Sequence, residues 1–156
     1  MEGRETGRIV YTVGHSSREF QELLEILRAY NVKVLVDVRR FPKSRRVPWT
    51  ESSRLKELLE REGVSYVWLG DLLGGYRSGG YKRYMETEDY RRGLEKLVDI
   101  IEGSGGPVAI MCRERLWFKC HRRFISDSLT QLGYKVVHII EKGRTYVHKS
   151  GGAAGI

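Results

Sequence analysis

Val32-Lys-Val-Leu-Val-Asp-Val38 is a near-continuous apolar run, and Arg39 and Arg40 follow it directly. A run with so few polar interruptions is typical of a strand buried on both faces, as in a parallel sheet that helices cover. Strands of this kind need helical crossover connections. The run therefore predicts an α/β fold.

Other short apolar runs occupy residues 9–13, 64–69, 107–111 and 134–140, and each reads as a strand. The segments between them have helical spacing: Phe20, Leu23, Leu24 and Leu27 mark one helix face. Further helices are predicted around Leu55, Leu58 and Leu59, ending near Gly63, and over residues 86–102 and 120–132. The alternation predicts a three-layer α/β domain with a mostly parallel sheet of about five strands. Residues 145–149 are expected to add an antiparallel edge strand.

Local signals define the connections. Ser16 and Glu19 have the spacing of a capping box, so Ser16 is expected to be the N-cap of the first helix. Residues 41–48, with two prolines, are a predicted loop, and the glycine-rich residues 70–80 are a predicted mobile loop near the surface. We expect one domain over residues 1–149 and a disordered tail over residues 150–156.

The composition limits the classes of partner. The chain has 156 residues and a net charge of +8, which suits an anionic small molecule or nucleic acid but equally a basic protein without either. No apolar run is long enough to span a membrane and the N-terminus lacks a signal-peptide core, so a cytoplasmic protein without a membrane partner is expected. Asn and Gln occur only at Gln21, Asn31 and Gln131, a weak indication of a thermophile.

Polar and reactive residues stand where the predicted strands end. They are His15 and Ser16, then Asp37, Arg39 and Arg40, then Cys112, Arg113 and Glu114. Because the carboxyl ends of parallel strands share one edge of the sheet, these residues are expected to converge there. The helix predicted to begin near Cys120 would direct its N-terminus, with His121 and Arg122, at the same edge and favour an anion.

The two cysteines have several possible roles. Basic neighbours and a helix start would lower the pKa of a thiol, with His121 or His15 as its base, whereas two small buried hydrophobic residues are the plain alternative. A structural disulfide between Cys112 and Cys120 is a third possibility. The spacing matches neither a Cys-x5-Arg phosphatase loop nor Cys-x-x-Cys, and Cys-x7-Cys-His lacks zinc-ligand spacing, so no metal site is predicted.

The remaining candidates also carry alternatives. Glu114 and Asp37 are candidate acid/base groups; otherwise Glu114 is a solvated charge and Asp37 pairs with Arg39 or Arg122. Ser44, with Arg39, Arg40, Lys43, Arg45 and Arg46, makes a basic loop that suits phosphate or is simply solvated. Tyr76, Tyr81, Tyr84, Trp117 and Phe118 are candidates for base stacking or for a hydrophobic lid. His138 is expected to be structural and His148 to be exposed.

Several motifs together resemble the family known as domain of unknown function 488. They are Val-Gly-His-Ser-Ser at 13–17, Leu-Val-Asp-Val-Arg-Arg-Phe-Pro-Lys-Ser-Arg-Arg at 35–46, Leu-Gly-Asp-Leu-Leu-Gly-Gly at 69–75, Tyr-Met-Glu-Thr-Glu-Asp-Tyr-Arg-Arg-Gly-Leu at 84–94, Met-Cys-Arg-Glu at 111–114 and Cys-His-Arg-Arg at 120–123. The resemblance spans roughly residues 9–140. It implies an α/β fold and a shared site built from Gly-His-Ser, Asp-Val-Arg and Cys-x-Glu with Cys-His-Arg, but no established reaction.

Two functions follow as hypotheses. The first is an enzyme that acts on a phosphate-bearing or nucleotide-like ligand, with Cys112 or Cys120 as nucleophile or redox group, Glu114, Asp37 or His121 as acid/base, and His15, Ser16, Arg39, Arg40, Ser44 and Arg122 binding the ligand. The second is a nucleic-acid-binding protein without catalysis. The sequence indicates no particular cofactor.

Overall fold

The computed structural model describes residues 7–149 and contains one six-stranded sheet. The strands are β1 (Ile9–Gly14), β2 (Val34–Asp37), β3 (Ser65–Trp68), β4 (Val108–Cys112), β5 (Lys135–Glu141) and β6 (Arg144–Val147). Their order across the sheet is β3-β2-β4-β1-β5-β6. All neighbouring pairs are parallel except β5 and β6, which are antiparallel. The predicted α/β fold with an antiparallel C-terminal edge strand is confirmed.

Helices cover both faces of the sheet. They are α1 (Phe20–Ala29), α2 (Ser52–Arg61), α3 (Gly70–Leu73), α4 (Tyr81–Tyr84), α5 (Glu88–Gly103) and α6 (Arg122–Gln131), with short 3-10 turns at Pro48–Thr50 and Trp117–Lys119. One buried cluster joins Leu23 and Leu27 of α1 and Leu55 of α2 to the sheet. The opposite cluster joins Leu97 of α5 and Ile125 of α6 to it.

The strand order creates a crevice between β1 and β4. The chain leaves β1 for α1 on one face of the sheet and leaves β4 for α6 on the other. Because the two connections separate there, the carboxyl ends of β1 and β4 lie beside an opening, the usual place for a ligand in an open α/β sheet.

Three local predictions differ from the structure. Helix α1 begins at Phe20 with Glu19 in the N-cap position, and Ser16 takes a left-handed φ of 48° instead of capping it. Helix α6 begins at Arg122, so Cys120 and His121 precede it. The segment 70–80 begins with α3, and Leu72, Leu73, Gly74 and Gly75 are buried, so its first half is not a surface loop.

The prediction that His148 is exposed is wrong. Its Nε2 lies 2.7 Å from Asp127 Oδ1 and its Nδ1 lies 2.8 Å from His138 Nε2, and the ring is buried. His138 in turn lies 2.6 Å from Thr12 Oγ1, consistent with the structural role expected for it. This polar chain joins β6 and α6 to the centre of the sheet. The predicted tail over residues 150–156 lies outside the described residues, none of whose helices is long and apolar enough to cross a membrane.

Candidate functional site

The loops at the carboxyl edge of the sheet enclose a cavity of about 590 Å³, here called the thiol cleft. Its lining residues come from the ends of β1, β2 and β4, from the glycine-rich segment and from the start of α6. They are His15, Arg39, Arg40, Phe41, Lys43, Gly75, Tyr76, Tyr81, Cys112, Arg113, Glu114, Lys119, Cys120, His121 and Phe124. Seven of the eleven predicted site residues therefore line one cavity.

A second cavity of about 590 Å³ adjoins the thiol cleft and shares His15, Arg113, Glu114 and Lys119 with it. Ser16 and Ser44 line this second cavity and not the first. Ser44 Oγ also accepts a hydrogen bond from the Val47 amide at 3.2 Å, which shapes the basic loop. The structure thus divides five of the six predicted binding residues between two adjacent openings, and Arg122 lines neither.

Close contact between the chains that leave β1 and β4 shapes the floor of the cleft. The His15 amide donates to the Cys112 carbonyl at 3.0 Å, and the Ser16 amide donates to the Arg113 carbonyl at 2.8 Å. A Cβ atom on Gly14 would lie 1.8 Å from the Glu114 carbonyl oxygen. Gly14 is therefore required for this approach; the family resemblance implied that it belongs to the site but did not indicate this contact.

Asp37 and Arg39 form a buried ion pair beneath the cleft. Asp37 Oδ1 accepts from the Arg39 amide at 3.0 Å and from Nε at 2.9 Å, and Oδ2 accepts from Nη2 at 2.6 Å and from the Tyr66 hydroxyl at 2.5 Å. Burial, reinforced by the Asp37 charge, raises the pKa of Tyr66. Asp37 does not line the cavity, and its geometry is that of a group that positions Arg39.

His15 is a neutral ring held from both sides. Its Nδ1 donates to the Ser16 carbonyl at 2.9 Å, which leaves Nε2 as the acceptor, 3.4 Å from Arg39 Nη1. Burial lowers the pKa of His15 to about 4, and the positive charge of Arg39 acts in the same direction. The ring therefore contributes a lone pair and shape to the cleft but no charge at neutral pH.

The two cysteines meet in the cleft as free thiols. Their sulfur atoms lie 2.7 Å apart, with Cys112 at the end of β4 and Cys120 just before α6. Burial alone would raise the pKa of Cys112, but the hydrogen bond from Cys120 and the charge of Arg122 outweigh it and lower that pKa to about 7. The pKa of Cys120 is raised by burial and by its contact with Cys112. In this pair, ionisation is therefore favoured at Cys112 over Cys120.

Arg122 is a buried cation behind the cysteines and does not line either cavity. Its Nη2 donates to the carbonyls of Glu114 at 3.0 Å and Arg115 at 3.3 Å, which holds the loop after β4 in place. Its Nε and Nη1 have no hydrogen-bond partner within the described residues, although the side chain is only 1% exposed. A buried guanidinium is costly without an anion nearby, and the Cys112 sulfur is the group that can supply one.

The first amides of α6 are already occupied. The Arg122 amide donates to Cys120 Sγ at 3.4 Å and the Arg123 amide donates to the Cys120 carbonyl at 3.2 Å. Cys120 therefore occupies the position where the sequence predicts an anion bound at the helix start. Other cationic side chains near the cysteines lie instead in the lining of the cleft.

His121 faces the cleft from the start of α6. Its Nε2 donates to the Val38 carbonyl at 2.8 Å, and its ring packs on Tyr81 with 5.3 Å between centroids. Burial lowers its pKa to about 4, so the ring is neutral and Nδ1 is its acceptor, directed toward Gly75. A Cβ on Gly75 would lie 3.2 Å from that nitrogen.

The charge of the thiol cleft is strongly positive. Five cationic side chains line it (Arg39, Arg40, Lys43, Arg113 and Lys119) against a single carboxylate, Glu114. Asp37 offsets the charge of Arg39. Across residues 7–149, no ion pair is found for Lys43, Arg113 or Lys119. Arg113 was expected at this edge of the sheet, but neither Arg113 nor Lys119 was assigned a role in binding; their positions beside the cysteines in the sequence were the available signal.

Two exposed rings stand at the rim of the cleft. Phe41 is 60% exposed and Tyr76 is 79% exposed, with their centroids 5.8 Å apart. The Arg40 guanidinium lies 5.5 Å from the centre of the Phe41 ring and donates to the Tyr76 carbonyl. Tyr76 also has a left-handed φ of 60°. Tyr81 and Tyr84, in contrast, donate to the carbonyls of Leu73 and Leu72 and belong to the packing of the segment.

Comparison with known proteins gives one match. The family model described as "Domain of unknown function DUF488" matches residues 19–129, which include Asp37, Arg39, both cysteines and Arg122 but not Gly14 or His15. No curated protein and no solved structure matches the chain.

Proposed function

This chain belongs to the DUF488 family, and from that premise we propose that it is an enzyme whose thiol cleft binds a phosphate-bearing or nucleotide-like small molecule. The observation that carries the proposal is the meeting of a thiol pair with five cationic side chains in one cavity. Charged ligands with phosphate groups suit such a surface, because clustered Lys and Arg side chains form charge-assisted hydrogen bonds with phosphate oxygens.

The phosphate is held by the cations that lack an internal partner. Lys43 reaches the cleft from the loop after β2, whereas Arg113 and Lys119 reach it from the loop after β4. Arg39 is fixed by Asp37 and by the Thr50 carbonyl, which accepts from its Nη2 at 2.7 Å. A rigid arginine between two flexible lysines and Arg113 gives the ligand one oriented contact and several adaptable ones.

Cys112 is the nucleophile in this proposal. Its sulfur lines the cavity, 2.7 Å from the sulfur of Cys120, and the contact with Cys120 and the charge of Arg122 favour the thiolate. The thiolate attacks an electrophilic atom of the ligand while the leaving oxygen takes a proton from water. A second water molecule, which gives its proton to the Glu114 carboxylate as general base, then cleaves the new sulfur bond and restores the Cys112 thiolate; the proton on Glu114 neutralises the hydroxide left by the first step. His15 and His121 shape the site as neutral rings.

The nucleotide-like part of the ligand belongs at the rim. Phe41 and Tyr76 offer ring faces to solvent within reach of the cationic side chains. Stacking of a base on an aromatic side chain contributes about 1–3 kcal/mol to binding. The position of two adjacent exposed rings beside a cationic cavity favours a ligand with an aromatic base.

Thermal denaturation with nucleoside monophosphates and sugar phosphates tests the proposal. We expect at least one of these compounds to raise the melting temperature of the native protein. The variant Lys119→Gln should lose most of that rise, whereas Lys96→Gln, the same charge change on the exposed surface of α5, should retain it. If no phosphate compound raised the melting temperature, or if both variants behaved alike, the proposal would be wrong.

Nucleic-acid binding without catalysis is the second candidate. It is favoured by the exposed Arg45 and Arg46, which extend the positive surface beyond the cleft along the loop after β2. Binding of this kind weakens steeply as salt rises, because phosphate contacts release counterions. A gel shift with single-stranded RNA or DNA that disappears at high salt and in an Arg45→Gln/Arg46→Gln variant would support it. Absence of a shift at low salt would exclude it.

A further inference from the structure

We propose that Cys112 and Cys120 are the attacking and resolving thiols of a redox pair that reduces a hydroperoxide and closes as a disulfide. This activity goes beyond the proposed function, since it uses the same thiol but neither the phosphate-bearing ligand nor the aromatic rim. Its starting observation is that the chain has only two cysteines and that their sulfur atoms lie 2.7 Å apart.

The surrounding structure holds the two sulfur atoms close together, so that only a small further approach, to the roughly 2.05 Å of a disulfide bond, is needed. Cys112 pairs with Gly14 in the parallel register of β4 and β1, so its backbone is fixed by the centre of the sheet. Cys120 is fixed by its position between the Trp117–Lys119 turn and α6, where its sulfur accepts from the Arg122 amide. Because both thiols are anchored in contact, oxidation of one presents the other with an adjacent electrophile.

Arg122 places a buried positive charge beside the pair. Its guanidinium is 1% exposed, and its Nε and Nη1 have no hydrogen-bond partner in the described part of the chain. Its positive charge lowers the pKa of both thiols, whereas burial and the contact with Cys112 keep the pKa of Cys120 raised. Cys112 is consequently the thiol that ionises and attacks, and Cys120 remains protonated as the thiol that resolves.

Access to the pair is through the thiol cleft, which both cysteines line together with Arg113 and Lys119. A cavity of about 590 Å³ admits hydrogen peroxide or a small organic hydroperoxide. Cys112 is itself only 1% exposed, so a large disulfide or protein oxidant cannot reach it while the loops hold their positions. The substrate class is therefore a small hydroperoxide.

The chemistry balances in two steps. The Cys112 thiolate attacks one oxygen of the hydroperoxide, the O–O bond breaks, and the departing oxygen takes a proton to give an alcohol or water, which leaves Cys112 as a sulfenic acid. The Cys120 thiol then attacks the Cys112 sulfur, and the sulfenic oxygen leaves as water. Two electrons pass from the two thiols to the peroxide bond, and a dithiol small enough to enter the cleft returns them by thiol–disulfide exchange.

Mass spectrometry of the purified, fully reduced protein tests the pair. One equivalent of hydrogen peroxide at neutral pH should lower the mass of the chain by two hydrogen atoms, and dithiothreitol should restore it. In Cys120→Ser, oxidation should stop at a sulfenic acid on Cys112 that dimedone traps. In Cys112→Ser, the remaining thiol should stay unmodified under the same conditions.

The outcomes that overturn the proposal are equally specific. They are persistence of both thiols, dimedone labelling of Cys120 in Cys112→Ser, or a disulfide that joins two chains in place of one. Failure here is separable from failure of the proposed function. The double variant Cys112→Ser/Cys120→Ser keeps every cation of the cleft, so its melting temperature still reports whether phosphate compounds bind.

Discussion

Asp37 and Arg39 show how a buried ion pair sets the geometry of the cleft one residue at a time. Asp37 is fully buried and accepts four hydrogen bonds, three of them from Arg39. The cost of burying the two charges is offset only because nearly every polar atom of the pair has a partner. The pair therefore holds Arg39 against His15 and fixes one side of the site.

Substitution of Asp37 tests this role. We expect Asp37→Asn to destabilise the protein by about 3–5 kcal/mol, because Arg39 would remain buried without its counter-charge. The matched control is Asp89→Asn, since the Asp89–Arg92 pair is exposed and exposed pairs contribute less than about 1 kcal/mol. Chemical denaturation of the three proteins measures the difference. Equal denaturation midpoints for both variants would show that Asp37 is not needed to offset the buried charge of Arg39.

The contacts of individual side chains were the features that the sequence predicted least completely. The end of a buried strand was sufficient to identify Asp37, Arg39 and Cys112 as neighbours. Nothing local in the sequence indicates that Tyr66 donates to Asp37, or that His148 is buried against Asp127, because those contacts join residues 21 or more positions apart. Such contacts depend on the packing of elements and not on local pattern.

At the scale of elements, the site depends on how closely the segments after β1, β2 and β4 approach one another. Gly14 allows the chain after β1 to touch the Glu114 carbonyl. Gly70 has a similar function in α3, where a Cβ would lie 1.8 Å from the Arg39 carbonyl. Both glycines are therefore places where backbone meets backbone beside the cleft.

The Gly14 contact predicts a loss of stability on enlargement. We expect Gly14→Ala to cost about 1–3 kcal/mol, because the added methyl group must push the strand ends apart. Gly103→Ala is the control, since nothing lies within 4 Å of a Cβ at that position in α5 and alanine favours a helix. Urea midpoints distinguish the two variants. A Gly14→Ala protein as stable as Gly103→Ala would contradict the close approach.

The glycine-rich segment shows why one element was missed by sequence reasoning. Residues 70–80 have the composition of a loop, yet Gly70–Leu73 is helical. A Cβ on Gly93 of α5 would collide with Leu72 and Leu73, so a glycine in the partner helix makes room for α3. The periodic apolar runs, in contrast, located all five parallel strands, because burial on both faces leaves a strong local pattern.

At the scale of the whole molecule, the buried histidines predict a sensitivity to acid. Burial lowers the pKa of His15 and His121 to about 4 and that of His138 to about 2. An unfolded histidine titrates near 6.5, so the unfolded chain binds more protons at intermediate pH. The stability that these neutral rings contribute is thus present above about pH 6.5 and is lost as pH falls toward 4.

Urea denaturation between about pH 7.5 and 4.5 measures this effect. We expect the unfolding midpoint to stay level above about pH 6.5 and to fall progressively below it, with a slope that reflects uptake of up to three protons on unfolding. His121→Gln should reduce the slope by one proton. A midpoint that did not change down to about pH 4.5 would show that the histidines are not buried in the neutral form.

The whole-molecule charge of +8 is less informative than its distribution. The sequence predicted the convergence of the Gly-His-Ser, Asp-Val-Arg and cysteine segments from topology alone, and the structure brings them to one edge. The sequence did not predict that Arg122 lies under the loop after β4 and outside the cavity. The direction of a side chain at the start of a helix depends on how the neighbouring loops pack.

The rate at which iodoacetamide alkylates Cys112 in the reduced protein tests the central claim most directly. This rate depends both on the ionisation of Cys112 and on whether a ligand occupies the cleft. The account predicts that Cys112 reacts ahead of Cys120, that its rate is half-maximal near pH 7, and that a saturating nucleoside monophosphate slows it. A rate that rises only above about pH 8.5, the ordinary range of a thiol, and that no phosphate compound changes would contradict it.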